Sequence, residues 1–188
     1  RITKVLPAVI EQKIDELCRQ HPVTQAVLFE TALMIYLSKI NPENSAVTIG
    51  VPVLNRSNAK ERKIAGMFVS TMPLTLVINE TETVGELSAK ITKEHMNIFR
   101  HQKYPYSSIL QSLREKQNFQ GNLYDVMISY QNAQTDTGAD TKWYSNGASE
   151  VPFVIHIDNR DSHECHTINV DYQSEVFGQE TEVRYIIE

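Results

Sequence analysis

The chain of 188 residues is poor in cysteine, having only Cys18 and Cys165. Two thiols on separate elements exclude a disulfide-framed secreted scaffold and fit a reduced, cytoplasmic setting. Basic runs are missing too, and the formal charge is −5. The positive footprint that a phosphate backbone requires is therefore absent, which argues against nucleic acid as a partner. No long uninterrupted apolar run occurs: Val23 to Leu37 comes nearest and is broken by Thr24, Gln25, Glu30 and Thr31, so it reads as a core helix and not as a membrane span. The first residues lack the basic, apolar, small-residue progression of a signal peptide. There is no internal repeat. What is present is a hydrophobic fraction of 41%, enough at this length for one compact unit, or one lobe of a larger domain, with a real core.

Hydrophobic periodicity outlines the elements. Beyond Pro7, Ile10, Ile14, Leu17 and Cys18 recur at helical spacing and predict an amphipathic helix. Thr24 opens a second helix to about Ile40, apolar nearly all round and so expected in the middle of the fold, and Asn41-Pro42 ends it. Val47, Ile49, Val51 and Val53 alternate as a strand containing Gly50 and Pro52, which demand special geometry there. A charged loop follows, then a strand through Met72, Leu74, Leu76 and Ile78. Thr83 with Glu86 is a capping-box signal for a helix through Leu87, Ile91 and Ile98. Pro105 precedes a shorter helix through Leu113, and Tyr124 to Tyr130 alternate as a strand. Residues 132–150 are polar and turn-rich, a length associated with function or mobility. Phe153 to Ile157 and His166 to Tyr172 predict an antiparallel pair, and Val183, Ile186 and Ile187 a last helix running to the chain's end. Strands and helices do not alternate one to one, so the expected class is α/β with a mixed sheet and packed helices, not a doubly wound fold. The unfinished helix suggests a piece of a longer polypeptide.

The stretch richest in fixed residue types is Ile49–Leu74, IGVPVLNRSNAKERKIAGMFVSTMPL. It resembles the segment I-G-x-P-x-x-N-R, charged loop, I-G-x-F-V-N-T-x-P-L of nonribosomal peptide synthetase condensation domains. Gly50, Pro52, Asn55 and Arg56 match its first half; Gly66, Phe68, Val69, Thr71, Pro73 and Leu74 match its second. Ala65 departs from the pattern, and Ser70 stands where many members have asparagine. His101-Gln102-Lys103-Tyr104-Pro105-Tyr106 resembles the family's H-Q-x-Y-P-F segment, and Leu123 to Asn132 its following strand. Matches at fixed spacing over this many positions are far more specific than a lone glycine motif.

The resemblance implies the C-terminal half of such a domain, residues 1–188 forming one lobe of the two-lobed chloramphenicol-acetyltransferase-like fold. In that family the lobes form a tunnel where an acceptor amine attacks a donor thioester, both carried on phosphopantetheine arms of peptidyl carrier domains. A histidine of an H-H-x-x-x-D-G motif on the N-terminal lobe assists. None of His21, His95, His101, His156, His163 and His166 begins that motif, so this chain by itself has no catalytic residue and is expected to be inactive. The implied partners are the N-terminal lobe, carrier domains and a neighbouring adenylation domain, with no cofactor bound directly. Arg56 is implied to brace the aspartate of the absent motif, a task that suits a permanently charged bidentate donor; the alternative is a solvated loop arginine. Gly50, Pro52 and Gly66 read as backbone devices, with Asn55 and Phe68 beside them. Ser70, Thr71, Ser129, Gln131 and Asn132 either line the tunnel or make ordinary strand-end hydrogen bonds, and the residues leave both open.

Other constellations are weaker. His156, Asp158, His163 and His166 suggest a metal, but their placement meets no ligand spacing, and surface or hairpin histidines account for them. Cys18 and Cys165 read as small hydrophobes. Trp143 and Tyr144 offer either a partner contact or a loop folded on its own lobe. Two alternatives to a condensation domain are half of a related epimerization or cyclization domain, and a non-catalytic carrier-protein-binding module. The N-R and G-x-F-V-S-T pattern favours condensation over epimerization, and the two apolar helices with the Gly50–Leu74 segment disfavour the module.

Overall fold

A computed structural model describes residues 1–132, 144, 147–149, 151–159, 165–178 and 180–187, with only the backbone at 181, 182, 185 and 187. In chain order the elements are β1 (Ile2–Val5), α1 (Ala8–Gln20), α2 (Gln25–Ile40), β2 (Val47–Val53), α3 (Ala59–Arg62), β3 (Ser70–Leu76), α4 (Val84–His101), α5 (Tyr106–Gln117), β4 (Val126–Gln131), β5 (Phe153–Asp158), β6 (Thr167–Tyr172) and α6 (Glu180–Ile187). Contacts gather them into two compact units, Arg1–Ala26 with Asp125–Glu188, and Val27–Tyr124. The division arises because the N-terminal strand returns to pair with the C-terminal hairpin, leaving the middle of the chain to form its own core.

In the first unit the strands run in the order β1, β6, β5, β4. β1 and β6 are antiparallel, with Ile2 opposite Val170. The expected β5–β6 hairpin is antiparallel, with Ile155 opposite Val170. β4 and β5 are parallel, with Ile128 opposite Ile155, so the sheet is mixed. Parallel neighbours cannot be joined by a tight turn; the long connection after β4 is thus a topological necessity, whatever else it does. Trp143 and His163 lie outside the described residues. Ile2, Phe153, Val170 and Val183 are buried together, with Tyr172, Phe177 and Ile186 packed against them.

On α1 the buried residues are Glu11 and Ile14, whereas Ile10 and Leu17 of the anticipated apolar face stay exposed. The shift has a polar cause. His166, only 1% exposed, donates its backbone N–H to Glu11 Oε1 at 2.6 Å, and its Nδ1 lies 2.9 and 2.8 Å from the two carboxylate oxygens. Its Nε2 is 3.0 Å from Tyr130 Oη, whose hydroxyl donates to Gln25 Oε1 at 2.6 Å. Burying a carboxylate is tolerable only when it is paired and hydrogen-bonded in this way. His166, next to the hairpin strand β6, is therefore a core residue and not a surface histidine.

In the second unit β2 and β3 form an antiparallel pair from Val47 opposite Leu76 to Val53 opposite Ser70. Val47, Ile49, Val51, Val53, Met72, Leu74 and Leu76 are its buried hydrophobic side chains, and α4 and α5 pack on β3. The anticipated capping box opens α4: Thr83 Oγ1 accepts the Glu86 N–H and the Glu86 carboxylate accepts the Thr83 N–H. Helix α2 is less enclosed than its composition suggests, because Tyr36 and Ile40 are exposed. Its buried side includes two polar groups matched from α4, Thr31 with Ser88 at 3.1 Å and Glu30 with His95 at 2.6 Å.

Candidate functional site

The site grows out of the end of β2. Past Val53 the chain turns at Asn55, whose φ of 53° is left-handed, a region in which asparagine is among the few tolerated side chains. Asn58 then caps α3 by accepting the Glu61 N–H at 2.9 Å. This short turn folds Glu61 back so that its carboxylate accepts the Ser57 N–H at 2.6 Å. The charged loop therefore contains a helical turn that periodicity did not reveal, although Asn58 followed three residues on by Glu61 is a start signal visible in the sequence.

Arg56 lies inside this turn. Its Nη1 donates to the carbonyls of Glu61 and Ile64, the latter at 2.6 Å, and Nη2 donates to the Gly66 carbonyl at 2.8 Å. The guanidinium carbon sits 4.1 Å from the centre of the Phe68 ring, a cation–π contact. Gly66 has φ of 146°, where a side chain would be strained. Arg56 is thus half-buried and anchored within its own loop. Three of its five N–H donors are engaged by backbone oxygens that carry no charge. The Nε–H and one Nη2 hydrogen have no partner among the described residues.

A second loop reaches the same place. Lys103 Nζ donates to the Asn55 carbonyl at 2.9 Å and to Glu61 Oε2 at 2.9 Å. The Ser57 N–H first, and the Lys103 ammonium next, hold the Glu61 carboxyl below its ordinary range. The Asn55 Oδ1 is buried without a partner among the described residues. Sequence reasoning missed Glu61 and Lys103; the sign that could have found them was a lysine at the variable position of the H-Q-x-Y-P segment and a nearby acid in the loop.

Gly50 serves close packing. A Cβ there would stand 2.5 Å from Tyr124 Cε2 and 3.0 Å from Thr71 Cγ2. Pro52 lies opposite Thr71, and Ser70 opposite Val53, so Ser70 and Thr71 begin β3 beside the strand end that leads to Arg56. The structure brings Asn55, Arg56, Gly66 and Phe68 together on that loop. Ser129, Gln131 and Asn132 belong to the first unit: Ser129 is buried on β4, Gln131 ends that strand, and Asn132 is exposed.

Elsewhere in the first unit, Arg1 Nε and Nη2 bind the two Asp171 oxygens at 2.8 and 2.6 Å. That guanidinium holds the Asp171 carboxyl below its usual range. Burial depresses the neighbouring His156, against the pull of Asp171. Among the described residues no group of histidine, cysteine, aspartate and glutamate could hold a metal ion. Burial, reinforced by Asp15, raises the thiol of the half-buried Cys18, which disfavours the thiolate a nucleophile needs. Tyr144 is 83% exposed. Among the described residues no single helix is long and apolar enough to cross a membrane.

The sequence profile described as "Condensation domain" matches residues 1–186. The chain belongs to the condensation-domain family. It is 32% identical over 192 residues to surfactin synthase subunit 1 of Bacillus subtilis (strain 168), covering 100% of this chain and 5% of that protein. With tyrocidine synthase 3 of Brevibacillus parabrevis the identity is 25% over 180 residues, covering 90% and 3%. Among solved structures, the condensation domain from the monacolin K polyketide synthase superposes with TM-score 0.77 at 20% identity, over 93% of this chain and 42% of that one. A four-domain nonribosomal peptide synthetase bound to AMP and glycine gives 0.78 at 14%, over 93% and 15%. Such identities speak to the fold, and they bear out the mixed sheet with packed helices of condensation domains. The chain spans a small part of the synthetases it matches and under half of the solved condensation domain.

Proposed function

We propose that this condensation-domain chain is the C-terminal, acceptor-side lobe of a peptide-bond-forming unit. In that reaction the amine of an acceptor held on one carrier domain attacks the thioester carbonyl of a donor held on another. The new C–N bond forms, the C–S bond breaks, the amine loses a proton, and the donor's phosphopantetheine thiol is released. The phosphopantetheine arms are substrate, and the histidine that positions the amine or takes its proton comes from the N-terminal lobe. An adenylation domain adjoins the carrier domains, and the assembly works in the reducing cytoplasm. Ser70, Thr71, Ser129, Gln131 and Asn132 are proposed to line the tunnel.

The observation that carries this reading is the state of Arg56. Its guanidinium is anchored by backbone carbonyls and the Phe68 ring, so it is rigid and uncompensated by any carboxylate contact of its own. Two N–H donors remain for a carboxylate from outside the chain, as the aspartate-bracing role requires. In the longer synthetase containing this chain, Arg56→Ala should lower condensation by about a hundredfold, the scale of a small misplacement near reacting groups. Arg56→Lys should not restore it, because an ammonium cannot reproduce the planar fork. Near-normal peptide formation by Arg56→Ala, measured by mass spectrometry of the carrier-bound product, would overturn the role.

A further inference from the structure

The contacts of Lys103 suggest a task beyond holding two loops together. Glu61 presents two oxygen-bearing groups close to Arg56: its backbone carbonyl already accepts from Nη1, while its carboxylate points to Ser57 and Lys103. A guanidinium with two unengaged donors prefers a carboxylate, in a bidentate charge-assisted pair, to neutral partners. The Glu61 carboxylate, five residues from Arg56 and held on the neighbouring Ser57 N–H, is a competitor for those donors within the same turn. The cation that occupies it is Lys103; its other partners, the Ser57 N–H and the Asn58 side chain, are neutral. Lys103 also binds the Asn55 carbonyl, immediately before Arg56, at the left-handed residue that sets the direction of the chain.

We infer that Lys103 is a positioning residue: by occupying the Glu61 carboxylate and pinning the Asn55 peptide, it keeps Arg56 from closing onto Glu61 and leaves its donors for a carboxylate outside this chain. The consequence for catalysis rests on the reading of Arg56 given above, whereas the local competition does not. The Lys103–Glu61 pair is half-exposed, with side-chain exposures of 49% and 25%, and such pairs contribute little to stability. Losing Lys103 should therefore redirect Arg56 without unfolding the protein.

The test is nitrogen-15 NMR of the arginine side chains in the 188-residue chain, with the Arg56 signal assigned by Arg56→Lys. Lys103→Met should move the Arg56 Nε–H signal and slow its exchange with water, with the denaturation midpoint unchanged. Lys103→Arg should leave the signal in place, and Lys103→Met combined with Glu61→Gln should return it, because the competing charge is gone. A stationary signal in Lys103→Met, or a shift that persists in the double variant, overturns the inference; a merely structural role predicts additive damage and no recovery. In the longer synthetase, Lys103→Met should reduce the condensation turnover, approaching the roughly hundredfold cost of misplacement, with KM for the carrier-bound acceptor unchanged, and the double variant should recover most of it. If Arg56→Ala abolishes condensation and Lys103→Met does not lower it, the inference fails. If the NMR pattern holds while Arg56→Ala condenses normally, it is the bracing role of Arg56 that fails and the competition with Glu61 stands.

Discussion

At the scale of single residues, side chains in this chain are governed less by their own type than by the neighbour they meet. Gly50 illustrates this. Its need for glycine comes from the Tyr124 ring, 2.5 Å from where a Cβ would stand, and not from a backbone angle. Gly50→Ala should destabilise the protein by about 1–3 kcal/mol through overpacking, read as a lower urea midpoint. Because the closest clashes are with this ring, the same substitution in a Tyr124→Ala background should cost clearly less, a non-additivity expected only of residues in contact. Equal costs in the two backgrounds would show that the ring is not the cause. Gly66 is the opposite case, since little lies near it and its φ of 146° makes the demand. Both glycines stand out in the sequence as members of one segment, but which physical reason applies to which could not be read there.

At the scale of elements, local chemistry was most legible where it acts within a few residues. The Thr83 and Glu86 capping box is a contact between positions three apart, so its sequence signature and its geometry coincide. Thr83→Ala should cost about 1 kcal/mol, with the loss of hydrogen-exchange protection concentrated in the first turn of α4; unchanged protection there would count against the cap. Helix α1 is rotated from its apolar stripe, a shift that periodicity misses because it treats glutamate as a surface residue. Ile10 and Leu17 fit the apolar stripe yet stay exposed, and Glu11 is buried along with Ile14 because His166, 155 residues away, supplies its hydrogen bonds. The short helix α3 escaped notice for a different reason: four residues carry no period, and only the Asn58 cap marks its start. β1 has no local signal of its own, since the strand that makes it part of a sheet lies at the far end of the chain.

At the scale of the whole molecule, stability should respond to acid through the cluster of Arg1, His156 and Asp171. His156 binds a proton less readily when folded, through burial, than its ordinary value of 6.5. Below about that pH the unfolded chain takes up more protons than the folded one, so stability falls as the pH drops. Asp171, depressed by Arg1 from 3.8, contributes stability that is present above that value and lost as the pH falls through its lower folded value. The urea midpoint should accordingly decrease from pH 7.5 to 5.5, and His156→Gln should flatten that slope; parallel slopes for the two proteins would remove His156 as the cause. The sequence by itself determined the family and the strand-and-helix inventory apart from β1 and α3, because these rest on residue types at fixed short spacings. Tertiary structure alone decided that β4 and β5 are parallel, that His166 and Glu11 share the core, and that Lys103 meets Asn55 and Glu61. Each of these depends on which distant segments meet, and no local spacing encodes that. Arg56, which the sequence set beside Asn55, Gly66 and Phe68, is in the structure a guanidinium held by three carbonyls, with a lysine from a second loop on the adjoining Asn55 and Glu61.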